Sequence, residues 1–536
     1  MTAFRTYLLS LTYSDVSQAV PHIENLSIGV DCWELRVDLL AERSVESIAY
    51  QIALLRRHSD LPVYLTMRTR SQTGGLPDIK DDPQMIPYQQ AVLSLGLKMG
   101  VEYVDVNITS PPETIASLVR NKGNSQIIIS WHDMAGRVSW SGPEVRSIFD
   151  HACREGADIV MMIGYARDFQ DNLSLRAFVQ EMQSKHVPLI ALNTGPEGKM
   201  SRILNHFLTP VAHPAMPRIS GPGQVLYLTG LLKPLKYHIF GADVKTTASP
   251  IMHTVAFRKL GLPHTYHISE ASDIQSYEAI LNDPTFGGAS IARPFKVEIG
   301  SRLRRLSKHA QAIGAVNTIT ATPTGPVGDN TDWKGIRTCI SRALTPENVI
   351  NANTTALVIG AGGVARAAIY ALNHLGVSKI ALVNRTMKAA HALASDISRL
   401  DPGLYIHVLE SIEPKVIKSL GLQPRIIVYA IPIPEQDDRD AIRTRPHQDL
   451  LQIPGGGVLL DMTFQGDLAL SPMLKLSKGI MNDAWVFVPG IEVLLEQGYE
   501  QIRLWTGRRP PRTDMRSAVM REYTGNNLYQ GTLRSI

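Results

Sequence analysis

The sequence predicts an α/β protein: an N-terminal (β/α)8 barrel followed by a second α/β region that ends in a Rossmann-like domain. Three observations predict it. Short β-like runs alternate with helix-length segments about eight times in roughly 220 residues, the count of a (β/α)8 barrel. A Pro/Gly-containing segment, residues 220–234, then interrupts the alternation. Beyond it a new α/β pattern contains Ala356-Leu-Val-Ile-Gly-Ala-Gly-Gly-Val-Ala-Arg-Ala-Ala368, which has the order strand, glycine turn, helix.

Composition permits this size of structure. At 536 residues, with 44% hydrophobic residues, the chain has apolar matter for more than one core. A net charge of +5 is mild for the length, and no basic block points to nucleic acid. Cys32, Cys153 and Cys339 are odd in number and far apart. They predict neither a disulfide framework nor a metal site. No apolar run reaches the ~18 residues of a membrane helix. Met1-Thr-Ala-Phe-Arg-Thr6 lacks the apolar core of a signal peptide, so a cytoplasmic or nuclear location is expected.

The barrel strands are expected near residues 7–12, 32–37, 63–68, 103–108, 126–131, 158–163 and 188–193, with a last turn near Gly221. Barrel chemistry sits at strand C-termini. Those ends carry Glu34, Arg36, Arg68, Asn107, His132, Met161 and Met162, and the run from Gly195 to Arg202 follows. Clustered arginines suit an anionic carboxylate; the alternative is arginines held in surface ion pairs. Glu34-Leu-Arg-Val-Asp38, Thr66-Met-Arg-Thr69 with Gly74-Gly75, Ser130-Trp-His-Asp133, Gly156-Ala-Asp-Ile-Val160, Gly198-Lys-Met-Ser-Arg202, Thr209-Pro210 and Pro222-Gly-Gln224 resemble type I 3-dehydroquinate dehydratases in order and spacing. The resemblance implies substrate contacts at Glu34, Arg36, Arg68, His132, Arg202 and Gln224. It also implies a Schiff-base lysine after Val160, where this chain has Met161. Methionine has no amine to form an imine. The carboxylate expected to orient the histidine falls at Asn107, which is uncharged. The barrel is therefore expected to bind a quinate-like acid without dehydrating it.

In the second region Lys236-Tyr-His-Ile-Phe-Gly241 reads as a first strand. Thr247-Ala-Ser-Pro250, Phe286-Gly-Gly-Ala-Ser-Ile-Ala-Arg-Pro-Phe-Lys296, Ile313-Gly-Ala-Val-Asn-Thr318 and Gly328-Asp-Asn-Thr-Asp-Trp-Lys-Gly335 follow. In the glycine turn, Gly360 lets the chain turn, Gly362 and Gly363 allow close approach to a pyrophosphate, and small Ala365 lets helix pack on strand. A second strand, Lys379-Ile-Ala-Leu-Val383, ends in Asn384-Arg385-Thr386. An acidic residue there would favour NAD; Arg385 suits a 2′-phosphate and points to NADP.

These motifs resemble shikimate dehydrogenases. The resemblance implies a substrate-binding domain at residues 235–340 and a Rossmann-like NADP domain at 341–510, after a dehydratase-like barrel at 1–230. Residues 511–536 are expected as a polar tail. It assigns the substrate carboxylate to Thr247 and Ser249, catalysis to Lys296 and Asp332, and further substrate contacts to Asn317 and Gln497. A structural ion pair is the alternative for Lys296 and Asp332. Three departures stand out. The family pattern Val-Thr-x-Pro is here Ile291-Ala-Arg-Pro294, which removes a hydroxyl at Ala292 and adds a cation at Arg293. The loop near the nicotinamide reads Tyr429-Ala-Ile-Pro432-Ile-Pro434. The family's methionine there falls at Val493.

The order of modules resembles two families. One comprises the bifunctional plant-type and fungal pentafunctional shikimate-pathway enzymes; the other is the fungal quinate repressor. Phe286–Ser290, residues 328–333, the insert at 340–354 and the missing lysine resemble the repressor. That resemblance implies a regulatory pseudoenzyme that senses a quinate-pathway acid and contacts a transcriptional activator protein, without touching DNA. The alternative is an NADP-dependent shikimate or quinate dehydrogenase with a non-catalytic barrel.

Overall fold

A computed structural model describes residues 5–213, 215–217, 233–401, 403–431, 444, 447–453, 455–463 and 485–524. The chain divides into two compact units, the barrel and the whole region after it.

The barrel strands are β1 (Tyr7–Leu11), β2 (Cys32–Arg36), β3 (Val63–Thr66), β4 (Tyr103–Asn107), β5 (Gln126–His132), β6 (Ile159–Tyr165), β7 (Leu189–Thr194) and β8 (Thr209–Val211). All pairings are parallel, in the order β7-β6-β5-β4-β3-β2-β1-β8, a nearly closed (β/α)8 barrel. Side chains alternate across each strand. Leu8, Cys32, Tyr64, Ile128, Met161 and Ile190 fill one cluster, inside the barrel. Leu9, Trp33, Leu65, Ile129 and Val160 pack outward under the helices. The eighth strand is the three-residue Thr209–Val211; the turn expected near Gly221 lies outside the described residues.

The second unit holds two sheets. The first contains β9 (Lys236–Gly241), β10 (Thr265–Glu270), β11 (Phe286–Ile291), β12 (Arg305–Leu306), β13 (Thr318–Thr320) and β14 (Val327–Asp329). Its order is β10-β9-β11-β13-β14-β12, with β13 antiparallel to both neighbours. The second contains β15 (Thr355–Ile359), β16 (Lys379–Val383), β17 (Tyr405–Val408), β18 (Pro424–Tyr429), β19 (Gly457–Asp461) and β20 (Trp485–Pro489). It is wholly parallel in the order β17-β16-β15-β18-β19-β20, with the strand order reversing beside β15. Ligands of open α/β sheets bind outside the strand C-termini at such a reversal.

The helix Gly490–Thr506 leaves the second sheet and returns to the first, where the Trp505 indole N–H donates to the Ile319 carbonyl at 2.9 Å. Trp505 also packs on Tyr237 and Tyr266. Arg512–Thr524, expected as solvated tail, is a helix with Met515, Ala518 and Val519 buried. It lies on the helix Ser249–Lys259 and is tied to it by a 2.6 Å Lys259–Asp514 ion pair. Three spaced apolar residues among many polar ones were too sparse a stripe to predict it. Among the described residues no helix is long and apolar enough to cross a membrane.

Candidate functional site

In the barrel, the C-terminal strand ends gather the expected arginines, but they differ in their partners. Arg36 makes a buried two-pronged pair with Asp38, at 2.7 and 2.6 Å. Burial raises the Asp38 carboxyl, yet the hydrogen bonds and charge of Arg36 outweigh it and hold the group below its ordinary range. Arg68 pairs with Glu34, which also accepts from Ser10 and is fully buried. These pairs are enclosed, so the alternative of surface ion pairs does not describe them. Arg202 is different. It is 8% exposed, and its one described hydrogen bond is a long one, 3.4 Å, to the Asn193 carbonyl. Its Nε has no partner, and burial with nearby Arg68, offset by no carboxylate among the described residues, lowers its pKa to about 10. A guanidinium enclosed without a counter-ion could receive an anion. Gln224 lies outside the described residues.

Met161 points into the barrel on β6, 1% exposed, with its sulfur 3.5 Å from the Tyr64 hydroxyl. No amine stands there. The orienting partner of His132 is not at Asn107, whose side chain accepts from the Thr109 N–H and hydroxyl. It is Gln72, whose amide nitrogen is 3.1 Å from His132 Nδ1. Burial, aided by Arg68 and Arg36, lowers the His132 pKa to about 3. The imidazole is thus neutral at physiological pH.

In the second unit the predicted residues converge. A cavity of about 340 Å³ is lined by Thr247, Ser249, Lys296, Asn317, Asp332 and Gln497 together. Thr247 precedes the helix Ser249–Lys259, and its hydroxyl donates to the Ser249 hydroxyl at 3.2 Å. Lys296 follows β11, and Asp332 opens the helix Asp332–Ala343. Lys296 Nζ donates to Asp332 Oδ2 at 2.5 Å. Asn317 Nδ2 donates to Asp332 Oδ1 at 2.8 Å and to Gln497 Oε1 at 3.2 Å. Both carboxylate oxygens are thereby engaged, and the aspartate cannot swing away from the lysine.

Gln501, Ser290 and Tyr266 were not foreseen. The Tyr266 hydroxyl donates to Ser290 at 2.8 Å, Ser290 donates to Gln501 Oε1 at 3.1 Å, and Gln501 Nε2 donates to the Asn317 carbonyl at 3.3 Å. Gln501 lies one helical turn beyond Gln497, and that spacing was the available signal. Ala292 and Arg293 line the cavity, and Val493 stands with Met462 in its apolar wall. Of the altered loop, Ala430 and Ile431 line the cavity, while Pro432 and Pro434 lie outside the described residues.

The glycine turn closes on this cavity. Gly360 has φ +128°, and a Cβ there would stand 2.8 Å from the Ala430 carbonyl oxygen. Gly363 begins the helix Gly363–His374, and a Cβ on it would stand 2.9 Å from the Lys296 Cβ. Gly362 faces open space. A bare backbone at a helix N-terminus before open space fits a pyrophosphate. Ala365 is fully buried against the sheet, and Asn384, Arg385 and Thr386 sit at the end of β16, Arg385 exposed. Among the described residues no group of His, Cys, Asp and Glu is placed to hold a metal ion.

Family models match the chain in order. The type I 3-dehydroquinase model covers residues 7–229, and the shikimate dehydrogenase substrate binding domain covers 239–319. The shikimate / quinate 5-dehydrogenase model covers 346–412, and the shikimate 5'-dehydrogenase C-terminal domain covers 490–520. The solved dehydroquinate dehydratase and shikimate dehydrogenase from S. pombe AroM is 34% identical, with a TM-score of 0.74 over 97% of this chain and 99% of that one. The pentafunctional AROM polypeptides of Malassezia globosa and Mycosarcoma maydis are 38% and 36% identical, over 96% and 97% of this chain. The chain spans about a third, 32%, of the length of each.

Proposed function

The chain belongs to the family of fused type I 3-dehydroquinase–shikimate dehydrogenase proteins, and we propose that its second unit is an NADP-dependent dehydrogenase of a shikimate- or quinate-type acid, beside a barrel that binds such an acid without dehydrating it. One observation carries this reading. The 2.5 Å Lys296–Asp332 pair lies in a single cavity lined also by the Thr247–Ser249 hydroxyl pair and by Val364 of the glycine turn, whose Gly363 lies against Lys296.

Thr247 and Ser249 hydroxyls suit the ring carboxylate. The ring hydroxyl to be oxidised then lies against Lys296. Losing hydride from its carbon requires losing the proton from its oxygen, and the amine–carboxylate pair receives that proton. In the reverse direction the lysine returns it. Bound NADP supplies the hydride acceptor, and Gly362 with Arg385 would hold its pyrophosphate and 2′-phosphate. Asn317, bonded to Asp332 and Gln497, keeps the pair aimed. The regulatory reading, with its activator protein partner, gains no support from these relatives. They are pentafunctional AROM polypeptides and a dehydroquinate dehydratase and shikimate dehydrogenase chain.

The test is absorbance of reduced nicotinamide with shikimate or quinate and NADP. Turnover is expected, and Lys296→Ala should lower kcat by about 10²-fold or more. No turnover with either acid, together with no NADP binding by calorimetry, refutes the reading.

A further inference from the structure

Gln72 gives His132 a definite chemical character. It closes the turn Arg70–Gln72, where the Thr69 backbone N–H meets Gln72 Oε1 at 3.0 Å. A backbone N–H only donates, so the atom facing it is the amide oxygen. The other end of the amide is therefore the NH2, and it lies 3.1 Å from His132 Nδ1. An NH2 donates, so Nδ1 accepts and carries no proton. A neutral imidazole then holds its single proton on Nε2. That atom is buried and has no partner among the described residues.

Two neighbouring guanidiniums share this polarity; the buried Asp105 Oδ1, also without a partner, does not. Arg202 Nε and Arg68 Nε are likewise buried without partners, while the nearby carboxylates Glu34 and Asp38 are occupied by arginines. Arg68 is close enough to both His132 and Arg202 to oppose further positive charge on either. With methionine at 161 and Nδ1 occupied by Gln72, neither the position expected for the lysine nor His132 itself offers a base to a ligand.

We infer that Gln72 is the positioning residue that fixes His132 as the Nε2–H tautomer, so that the barrel mouth presents His132 to a small cyclic keto or hydroxy acid as a hydrogen-bond donor and not as a base. The guanidinium of Arg202 takes the carboxylate, and Nε2–H donates to a carbonyl or hydroxyl oxygen of the same ligand. The inference rests on the reading of the barrel as a non-dehydrating unit and assigns the group that makes it so beyond the missing lysine.

The test is long-range ¹H–¹⁵N correlation on the full chain labelled at histidine nitrogens, with His132 identified by the signals lost in His132→Gln. At pH 7 the proton is expected on Nε2, and added quinate should shift that nitrogen. Gln72→Glu should move the proton to Nδ1, because a carboxylate can only accept. A proton on Nδ1 in the native chain, or a His132 signal unmoved by millimolar quinate and by 3-dehydroquinate, overturns the inference. Should Gln72→Glu fail to fold, the native-chain measurement still decides. An adduct trapped by borohydride with 3-dehydroquinate would instead overturn the non-dehydrating reading, whichever tautomer is found.

Discussion

His253 is fully buried between the rings of Tyr266, at 4.8 Å, and Trp505, at 4.9 Å. Burial lowers its pKa to about 3, against a smaller raising contribution from Gln501. An unfolded histidine titrates near 6.5, so between about 3 and 6.5 the unfolded chain binds the extra proton. Stability from this group is complete above about pH 6.5 and falls as pH drops, by up to ~1.4 kcal/mol per pH unit. From pH 7 to pH 5 the loss from His253 is about 2 kcal/mol. Denaturant unfolding at the two pH values, compared with His253→Phe, isolates it, because phenylalanine keeps the ring stack and does not titrate. An unchanged pH loss in the variant removes the assignment. At this scale the motif residues were legible, since Lys296, Asp332, Asn317, Thr247, Ser249 and Gln497 do meet in one cavity. Gln72 was not legible. Its role depends on a contact with a residue 60 positions away, which no local pattern encodes.

At the scale of elements, the glycine turn separates folding from binding. Gly360 holds φ +128° against the Ala430 carbonyl, so Gly360→Ala should cost roughly 1–3 kcal/mol of stability. Gly362 has φ −85°, which any residue adopts, and open space at its Cβ position. Gly362→Ala should leave stability within about 0.5 kcal/mol of the parent. By crowding a pyrophosphate it should weaken NADP roughly tenfold or more, about 1.4 kcal/mol. Urea unfolding and calorimetric NADP titration of both variants check the contrast; unchanged NADP affinity in Gly362→Ala would show that the turn does not receive the cofactor. This strand–turn–helix was legible because a short apolar run ends in spaced glycines and a helix-like run follows. The eighth barrel strand, Thr209–Val211, was not read from the sequence, because three residues carry no period. The helix Arg512–Thr524 was missed because its apolar positions gain meaning only against the helix Ser249–Lys259.

At the scale of the whole molecule, two units with separate cores carry the two candidate sites. The barrel core is Leu9, Trp33, Ile129 and their neighbours; the Rossmann core is Ile336, Val358, Leu372 and theirs. A ligand stabilises the unit that binds it by RT ln(1 + [L]/Kd), about 2.7 kcal/mol at a hundredfold excess over Kd. Scanning calorimetry of the full chain should therefore show NADP raising the transition of the second unit while the barrel transition stays in place. Quinate should raise the barrel transition through Arg202, and Arg202→Ala should abolish that shift without altering the response to NADP. A barrel transition that follows NADP would contradict the assignment of the cofactor to the glycine turn. Dehydration in the barrel is a separate outcome. With Met161 buried at the expected lysine position, 3-dehydroquinate should stabilise the barrel without being consumed, and borohydride should leave the chain mass unchanged. Consumption of 3-dehydroquinate, or a mass gain, would show that another amine of the barrel has taken over the imine.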